Sequence, residues 1–122
     1  MAKYGNKKVF IDGMVFDSKK EAARYKELSL LARAGEITDL ETQVTFELIP
    51  AAYEDFERYG KNGKRLKDGR RCVEKAVTYI ADFVYKDQGN TVVEDTKGVK
   101  TKDYIIKRKL MLDRYGIRIR EL

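Results

Sequence analysis

Alternating apolar and polar residues mark three strand-forming regions along this chain. Residues 8–17 place short apolar stretches on either side of Asp12-Gly13, a pair typical of hairpin turns. Residues 43–49 alternate and end at the only proline. Two further apolar stretches flank the turn residues 87–90 (Asp-Gln-Gly-Asn), which predicts that residues 75–97 form a second β-hairpin.

Two other segments have the apolar spacing of helices. Ser18 begins the first with a capping-box pattern that includes Glu21, and the helix runs to about Ala34. Gly35 then suits a left-handed C-cap. The second helix is predicted from a Thr101 cap to about residue 115, just before Gly116.

The remaining segments complete the predicted fold. Residues 51–72 are expected to form a short helical turn around residues 53–59 and then a basic insertion loop, and residues 117–122 a last strand. Because a helix precedes that strand, it can pair in parallel with the second hairpin. The predicted fold class is α/β: one domain with an αβββαβ core over residues 18–120, a mixed central sheet flanked by helices, and an N-terminal hairpin within residues 1–17.

Composition narrows the possible chemistry. The chain has 122 residues, no histidine and one cysteine. The lack of histidine excludes His-dependent nucleases, Ser-His-Asp hydrolysis and nearly every zinc site. A single cysteine excludes an internal disulfide and fits a reducing compartment. Neither a signal peptide nor an apolar run of membrane-spanning length is recognisable, so a cytoplasmic protein without a membrane partner is expected.

The net charge of +6 is concentrated in two segments. Residues 58–75 contain eight basic and two acidic residues, and residues 97–120 contain nine basic and two acidic ones. Such concentration favours a polyanion partner, most often nucleic acid, although a merely solvated loop remains an alternative for the first segment. The candidate nucleic-acid-binding residues are Lys61, Lys64, Arg65, Arg70, Arg71, Lys100, Lys107, Arg108 and Lys109.

Two carboxylates and a lysine are the main candidates for chemistry. If the arms of the second hairpin pair, Asp82 comes close to Asp95, and strand alternation places Lys97 on the face of Asp95. Close carboxylates repel each other unless a cation lies between them, and Mg²⁺ is commonly held by one or two carboxylates. The alternative is a set of solvated ion pairs, which the apolar residues around both acids disfavour.

Glu21 is a candidate third carboxylate. It shares helical spacing with Tyr25, Leu28 and Ala32, the stripe expected to face the core, so it points toward the sheet. Its role as a helix cap and its role in a site are both open. Glu94 lies next to Asp95 but faces the opposite side by strand alternation.

The order of these residues resembles a known superfamily. A helix carrying Glu21, then Asp82, then Asp95-x-Lys97 resembles the PD-(D/E)XK nucleases. Over roughly residues 4–117 the chain is similar to a family of small phage-encoded nuclease-like proteins related to Holliday-junction resolvases. The matching segments are Phe16-Asp-Ser-Lys-Lys-Glu21, Gly35-Glu-Ile, Leu40-Glu-Thr-Gln43-Val and Val93-Glu-Asp-Thr-Lys-Gly98.

The resemblance implies a metal-dependent endodeoxyribonuclease. Asp82 and Asp95 would be the principal ligands of Mg²⁺, with Mn²⁺ as a substitute, and Glu21 would match the helix acid of resolvase-like members. Lys97 would be the catalytic lysine, and Gln43 and Glu94 would be possible accessory residues. One protomer has one predicted site, and paired cuts on two strands need two sites, so a homodimer is expected. Such a dimer, with basic surfaces on both protomers, suits branched DNA. The alternatives are a general nicking endonuclease, a non-catalytic DNA- or RNA-binding phage protein, and a phage structural or adaptor protein.

Overall fold

The computed structural model describes residues 8–122, which form eight strands and two helices. The elements in chain order are β1 (Val9–Ile11), β2 (Met14–Phe16), α1 (Lys19–Arg33), β3 (Thr38–Ile49), β4 (Ala52–Tyr59), β5 (Arg65–Glu74), β6 (Val77–Asp87), β7 (Asn90–Asp95), α2 (Lys102–Tyr115) and β8 (Arg120–Glu121).

The central sheet is mixed and has the strand order β3-β6-β7-β8. β6 pairs antiparallel with both β3 and β7, and β7 pairs in parallel with β8. The predicted second hairpin and the parallel last strand are therefore confirmed. The last strand is shorter than predicted, because only Arg120 and Glu121 pair with β7. The preceding Ile119 packs into the core.

The two helices pack on opposite faces of this sheet. Ala22 and Leu28 of α1 pack with Phe83 and Tyr85, and we call this group the α1 cluster. On the other face lies the α2 cluster, which consists of Leu48, Tyr79, Ala81, Val93, Tyr104, Met111 and Ile119. The predicted mixed sheet flanked by helices is therefore confirmed as a mixed α/β architecture.

The helix boundaries follow the predicted capping residues. Ser18 Oγ accepts a hydrogen bond from the Glu21 amide at 3.1 Å, and Thr101 Oγ1 accepts one from the Tyr104 amide at 3.1 Å. Gly35 and Gly116 have φ angles of +76° and +68° after the helix ends, a conformation that glycine adopts without steric cost. The N-terminal hairpin turns at Asp12-Gly13 as predicted, and the part of it predicted for residues 1–7 lies outside the described residues.

Within residues 51–72, the helical turn predicted around residues 53–59 was wrong, and the predicted basic loop is confined to residues 60–64. This segment is a two-stranded antiparallel β-ribbon, β4–β5, which forms a sheet separate from the central one. Its aromatic residues at positions 53, 56 and 59 have a spacing of three, which does not match the period of two that a strand shows. Cross-strand pairing overrides that local pattern, because Gly69 has no side chain and the Phe56 ring lies directly over its backbone.

The third strand is longer than the predicted residues 43–49. β3 begins at Thr38, and its register with β6 shifts between Thr38 and Glu41. Asp39 and Gln43 both have positive φ angles within it, of 55° and 53°. Such irregularities interrupt the alternation of apolar residues, which is why the sequence pattern revealed only the second half of the strand.

Candidate active site

The two predicted carboxylates are neighbours across β6 and β7. Phe83 pairs with Glu94, so Asp82 and Asp95 are the next residues along the same antiparallel register. Asp95 ends β7 with only 3% of its surface exposed. Tyr79 donates a hydrogen bond from its hydroxyl to Asp95 Oδ2 at 2.7 Å, which fixes the orientation of this buried carboxylate.

Asp82 is held from two sides. Its Oδ2 accepts hydrogen bonds from the backbone amide and the hydroxyl of Thr96, at 2.9 and 2.8 Å. Its Oδ1 lies 3.3 Å from the amide nitrogen of Gln43. Thr96 lies between Asp95 and Lys97, so the short stretch that follows β7 both carries candidate site residues and positions Asp82.

Glu21 joins this group from helix α1. The residue is 4% exposed, and its carboxylate accepts a hydrogen bond from Gln43 Nε2 at 2.9 Å. The same nitrogen contacts Asp82, so one amide group lies between the two carboxylates. The Glu21 backbone amide meanwhile donates to Ser18 Oγ, so the residue takes part in the helix cap through its backbone and in the site through its side chain.

Gln43 occupies an unusual backbone position. Its φ of 53° is in the left-handed region, which costs free energy for a residue other than glycine and often accompanies a functional site. On the paired strand, Ala81 packs in the α2 cluster while Phe83 packs in the α1 cluster, so β6 changes face at Asp82. This irregularity in both strands allows the Gln43 amide to reach Glu21 and Asp82 together.

Burial and mutual repulsion raise the pKa values of two acids. Burial, followed by the charges of Asp82 and Asp17, raises the pKa of Glu21 to about 7. Burial also raises the pKa of Asp95, and the charge of Asp82 adds to the effect, while the Tyr79 hydrogen bond and the charge of Lys97 oppose it. These carboxylates are therefore costly to keep ionised together, and a cation would relieve that cost.

Lys97 lies beside these acids at the mouth of a cleft. It follows the end of β7, and its Nζ lies 5.3 Å from the centre of the Tyr104 ring on α2. The cleft is lined by Tyr79, Lys97, Tyr104 and Lys107, among others. The cleft is also lined by Asp103, and its link to the buried acids is Tyr79, whose hydroxyl bonds to Asp95.

The oxygen ligands suit a hard cation, with one restriction. Glu21, Asp82 and Asp95 supply carboxylates only, and Mg²⁺ prefers such ligands and needs only one or two of them. However, the described residues contain no group of three His, Cys, Asp or Glu side chains arranged to hold a metal ion. The arrangement therefore fits an ion held by two carboxylates better than a three-carboxylate cage, because the Gln43 amide lies between Glu21 and Asp82.

Glu94 lies on the other side of β7 and takes part in a separate network. It is completely buried and accepts two hydrogen bonds from Arg24, at 2.8 and 2.7 Å. The Tyr85 hydroxyl also donates to it, and Arg120 of β8 lies 3.3 Å away. Burial alone would raise the pKa of Glu94, but the hydrogen bonds from Arg24 and Tyr85, together with the charges of Arg24 and Arg120, lower it.

Several residues of the site were not found from the sequence. Tyr79 and Thr96 orient the two aspartates, and Arg24 and Arg120 neutralise Glu94. Tyr79 is separated from Asp95 by 16 positions and Arg24 from Glu94 by 70. Only Thr96, between two candidate residues, could have been suspected from its place in the sequence.

The nine basic candidates lie in different parts of the structure. Lys61, Lys64 and Arg65 lie at or beside the tip of the β-ribbon, whereas Arg70 and Arg71 lie nearer its base, over the rings of Tyr53 and Phe56. Lys100 and Arg108 form ion pairs with Glu121, at 3.5 and 3.4 Å. Lys107 lines the cleft, and Lys109 is exposed on α2.

The fold and this site define a mixed α/β protein with buried acids beside a lysine-lined cleft. The chain belongs to the family described as "Protein of unknown function (DUF1064)", which matches residues 1–120. No curated protein and no solved structure matches the chain. Within residues 8–122, neither helix is long and apolar enough to cross a membrane.

Proposed function

We propose that this protein is a metal-dependent endodeoxyribonuclease. The observation that carries the proposal is the pair of neighbouring carboxylates Asp82 and Asp95, with Lys97 beside them at the mouth of a cleft. Glu21 of α1 is joined to Asp82 through the Gln43 amide. Buried acids that repel each other destabilise the fold, and a divalent cation bound between them would offset that repulsion. Such acids are therefore typical of functional sites. The resemblance to PD-(D/E)XK nucleases supports the same conclusion.

Each side chain has a role in this proposal. Asp82 and Asp95 would hold Mg²⁺, and Glu21 would complete the site when the Gln43 amide moves aside. When bound, the ion would activate a water molecule and neutralise negative charge on the scissile phosphate. Lys97 would contact that phosphate and stabilise the charge that develops on it during cleavage.

The surrounding residues keep the acids in place. Thr96 holds Asp82 through two hydrogen bonds, and Tyr79 holds Asp95 through one. Because both supports use rigid strand positions or the backbone, the acids require little rearrangement to bind an ion.

We further propose that the enzyme acts as a homodimer on branched DNA in the cytoplasm, which is the host cytoplasm if the chain is phage-encoded.

Incubation with supercoiled plasmid tests the proposed activity. Mg²⁺ or Mn²⁺ should produce nicked or linear DNA, and EDTA should prevent it. Lys97→Ala should lower the cleavage rate by about 10²–10³-fold, the usual effect of losing one group that stabilises transition-state charge. Its far-UV circular dichroism should be unchanged, because Lys97 is exposed.

Asp95→Asn should also abolish cleavage, and Asp113→Asn provides the matched control. Asp113 lies near the end of α2 and is exposed, so the same substitution there removes a carboxylate away from the buried acids and the cleft. Cleavage that persists in Asp95→Asn, or that needs no metal, would refute the proposal. Metal-independent DNA binding without cleavage would favour the non-catalytic binding protein.

A further inference from the structure

The β-ribbon β4–β5 has features that the proposed active site does not use. No residue of either strand is buried, and the two core clusters contain none of them. Eight residues of β4 at about 3.3 Å each give an arm about 26 Å long. An isolated two-stranded hairpin is marginally stable, so a separate ribbon of this length implies a function outside the core.

Charge is unevenly distributed along the ribbon. Residues 58–67, at the tip, contain five basic residues and no acidic one. Residues 52–57, at the base of β4, contain three acidic residues and no basic one. The arm therefore carries positive charge to its far end, where a polyanion would contact it first.

The tip has a defined shape. The Gly60 amide donates to the Lys64 carbonyl at 2.8 Å, and the Lys64 amide donates to Asn62 Oδ1 at 3.1 Å. Gly63 allows the tight turn with a φ of +77°. Lys61, Lys64 and Lys67 take part in none of the ion pairs within residues 8–122, so their charges are available to a ligand.

The basic residues near the base are already engaged. The guanidinium of Arg70 lies 4.0 Å from the centre of the Tyr53 ring, and that of Arg71 lies 5.0 Å from the centre of the Phe56 ring. Arg71 also pairs with Glu54 across the ribbon. These contacts brace the two strands, and each covers one face of an aromatic ring that a nucleic-acid base would otherwise stack on.

We propose that the ribbon is an arm that grips duplex DNA, with its tip in a groove and its lysines on the phosphates. A major groove about 12 Å wide admits a two-stranded β-ribbon. Lysine-rich contacts to phosphate bind without reading sequence. Single-strand binders instead present open aromatic faces, and here two of the three aromatic rings in the ribbon already carry an arginine.

This inference rests on the proposed function, because it names duplex DNA as the substrate that the nuclease binds. DNA binding can nevertheless be measured separately from cleavage. We would measure binding to a labelled 30-base-pair duplex by fluorescence anisotropy, in EDTA and in the Asp82→Asn background. The tip variant is Lys61→Ala/Lys64→Ala/Lys67→Ala. The matched control, Lys26→Ala/Arg33→Ala/Lys86→Ala, removes the same charge from exposed positions outside the ribbon.

The tip variant should bind on the order of 10²-fold more weakly at 0.1 M salt. The plot of log affinity against log salt should become shallower by about 0.9 for each phosphate that a lysine no longer neutralises, or about 2.7 in all. The control should change the slope by less than about 1. Equal effects of both variants, or no effect of the tip variant, would overturn the proposal.

A label on the ribbon gives an independent measurement. Cys72 is the only cysteine, and it is exposed on β5. Because Cys72 pairs with Tyr53 near the base of the ribbon, Cys72→Ser/Leu66→Cys moves this thiol to an exposed position beside the tip. A nitroxide attached at position 66 should lose mobility when duplex is added to the Asp82→Asn protein, and should not do so in the tip variant. A greater loss of affinity for single-stranded DNA or RNA than for duplex, or a change in solution mass caused by the tip substitutions, would refute the duplex assignment.

The two proposals fail separately. A chain that binds duplex through its tip but cuts no plasmid supports the arm and refutes the nuclease. A chain that cuts plasmid while the tip variant binds duplex normally supports the nuclease and refutes the arm.

Discussion

Arg24→Met tests whether the network around Glu94 holds the site together. Glu94 adjoins Asp95 on β7, and its carboxylate is fully buried against Arg24 of α1 and Arg120 of β8. Removing the Arg24 guanidinium leaves a buried charge without two of its hydrogen bonds. Methionine keeps most of the length and apolar packing of the arginine stem, so the substitution removes mainly the charge.

The expected magnitude follows from the remaining contacts. Breaking a buried ion pair by removing one partner typically costs about 3–5 kcal/mol. Glu94 would retain the Tyr85 hydroxyl and the Arg120 guanidinium, which is 3.3 Å away on a side chain that is 52% exposed. We therefore expect the lower end, a loss of about 3 kcal/mol in the free energy of unfolding at pH 7.

Urea denaturation followed by circular dichroism measures this loss. Glu27→Ala is the matched control, because it removes the other partner of Arg24, a side chain that is 64% exposed, and should cost less than about 0.5 kcal/mol. The double variant Arg24→Met/Glu94→Gln should recover about half of the loss, because a neutral amide is cheaper to bury than a carboxylate. A loss below about 1 kcal/mol in Arg24→Met would refute the reasoning.

Two further predictions concern pH and substrate. The pKa of Glu21 is raised from 4.5 to about 7, so the folded protein holds this proton more tightly and, in EDTA, loses stability as the pH rises between those values. Glu21→Gln should flatten this dependence and add about 1–3 kcal/mol at pH 8 in urea titrations, whereas an unchanged slope would contradict it. A four-way junction should be cut faster than its component duplexes, with a dimeric mass in solution, and equal rates would indicate a general endonuclease.

Local chemistry along the chain determined the helices, the two hairpins within residues 8–17 and 75–97, and the mixed sheet. Ser18, Thr101 and Gly116 set helix ends through side-chain and backbone contacts within a few positions of themselves, so the sequence alone reveals them. Asp82 and Asp95 could also be placed together in advance, because a hairpin with a recognisable turn relates its two arms directly.

The ribbon and the setting of the acids depended on tertiary structure. β4 and β5 form because Phe56 packs over Gly69, 13 residues away, a pairing that local aromatic spacing does not reveal. Gln43 reaches Glu21 and Asp82 only through a left-handed backbone position in β3. The partners of Glu94 come from α1 and β8, so its neutralisation requires the helix, the sheet and the last strand to have assembled. The sequence determined which charges are present, and the packing of distant segments decided which of them are buried together.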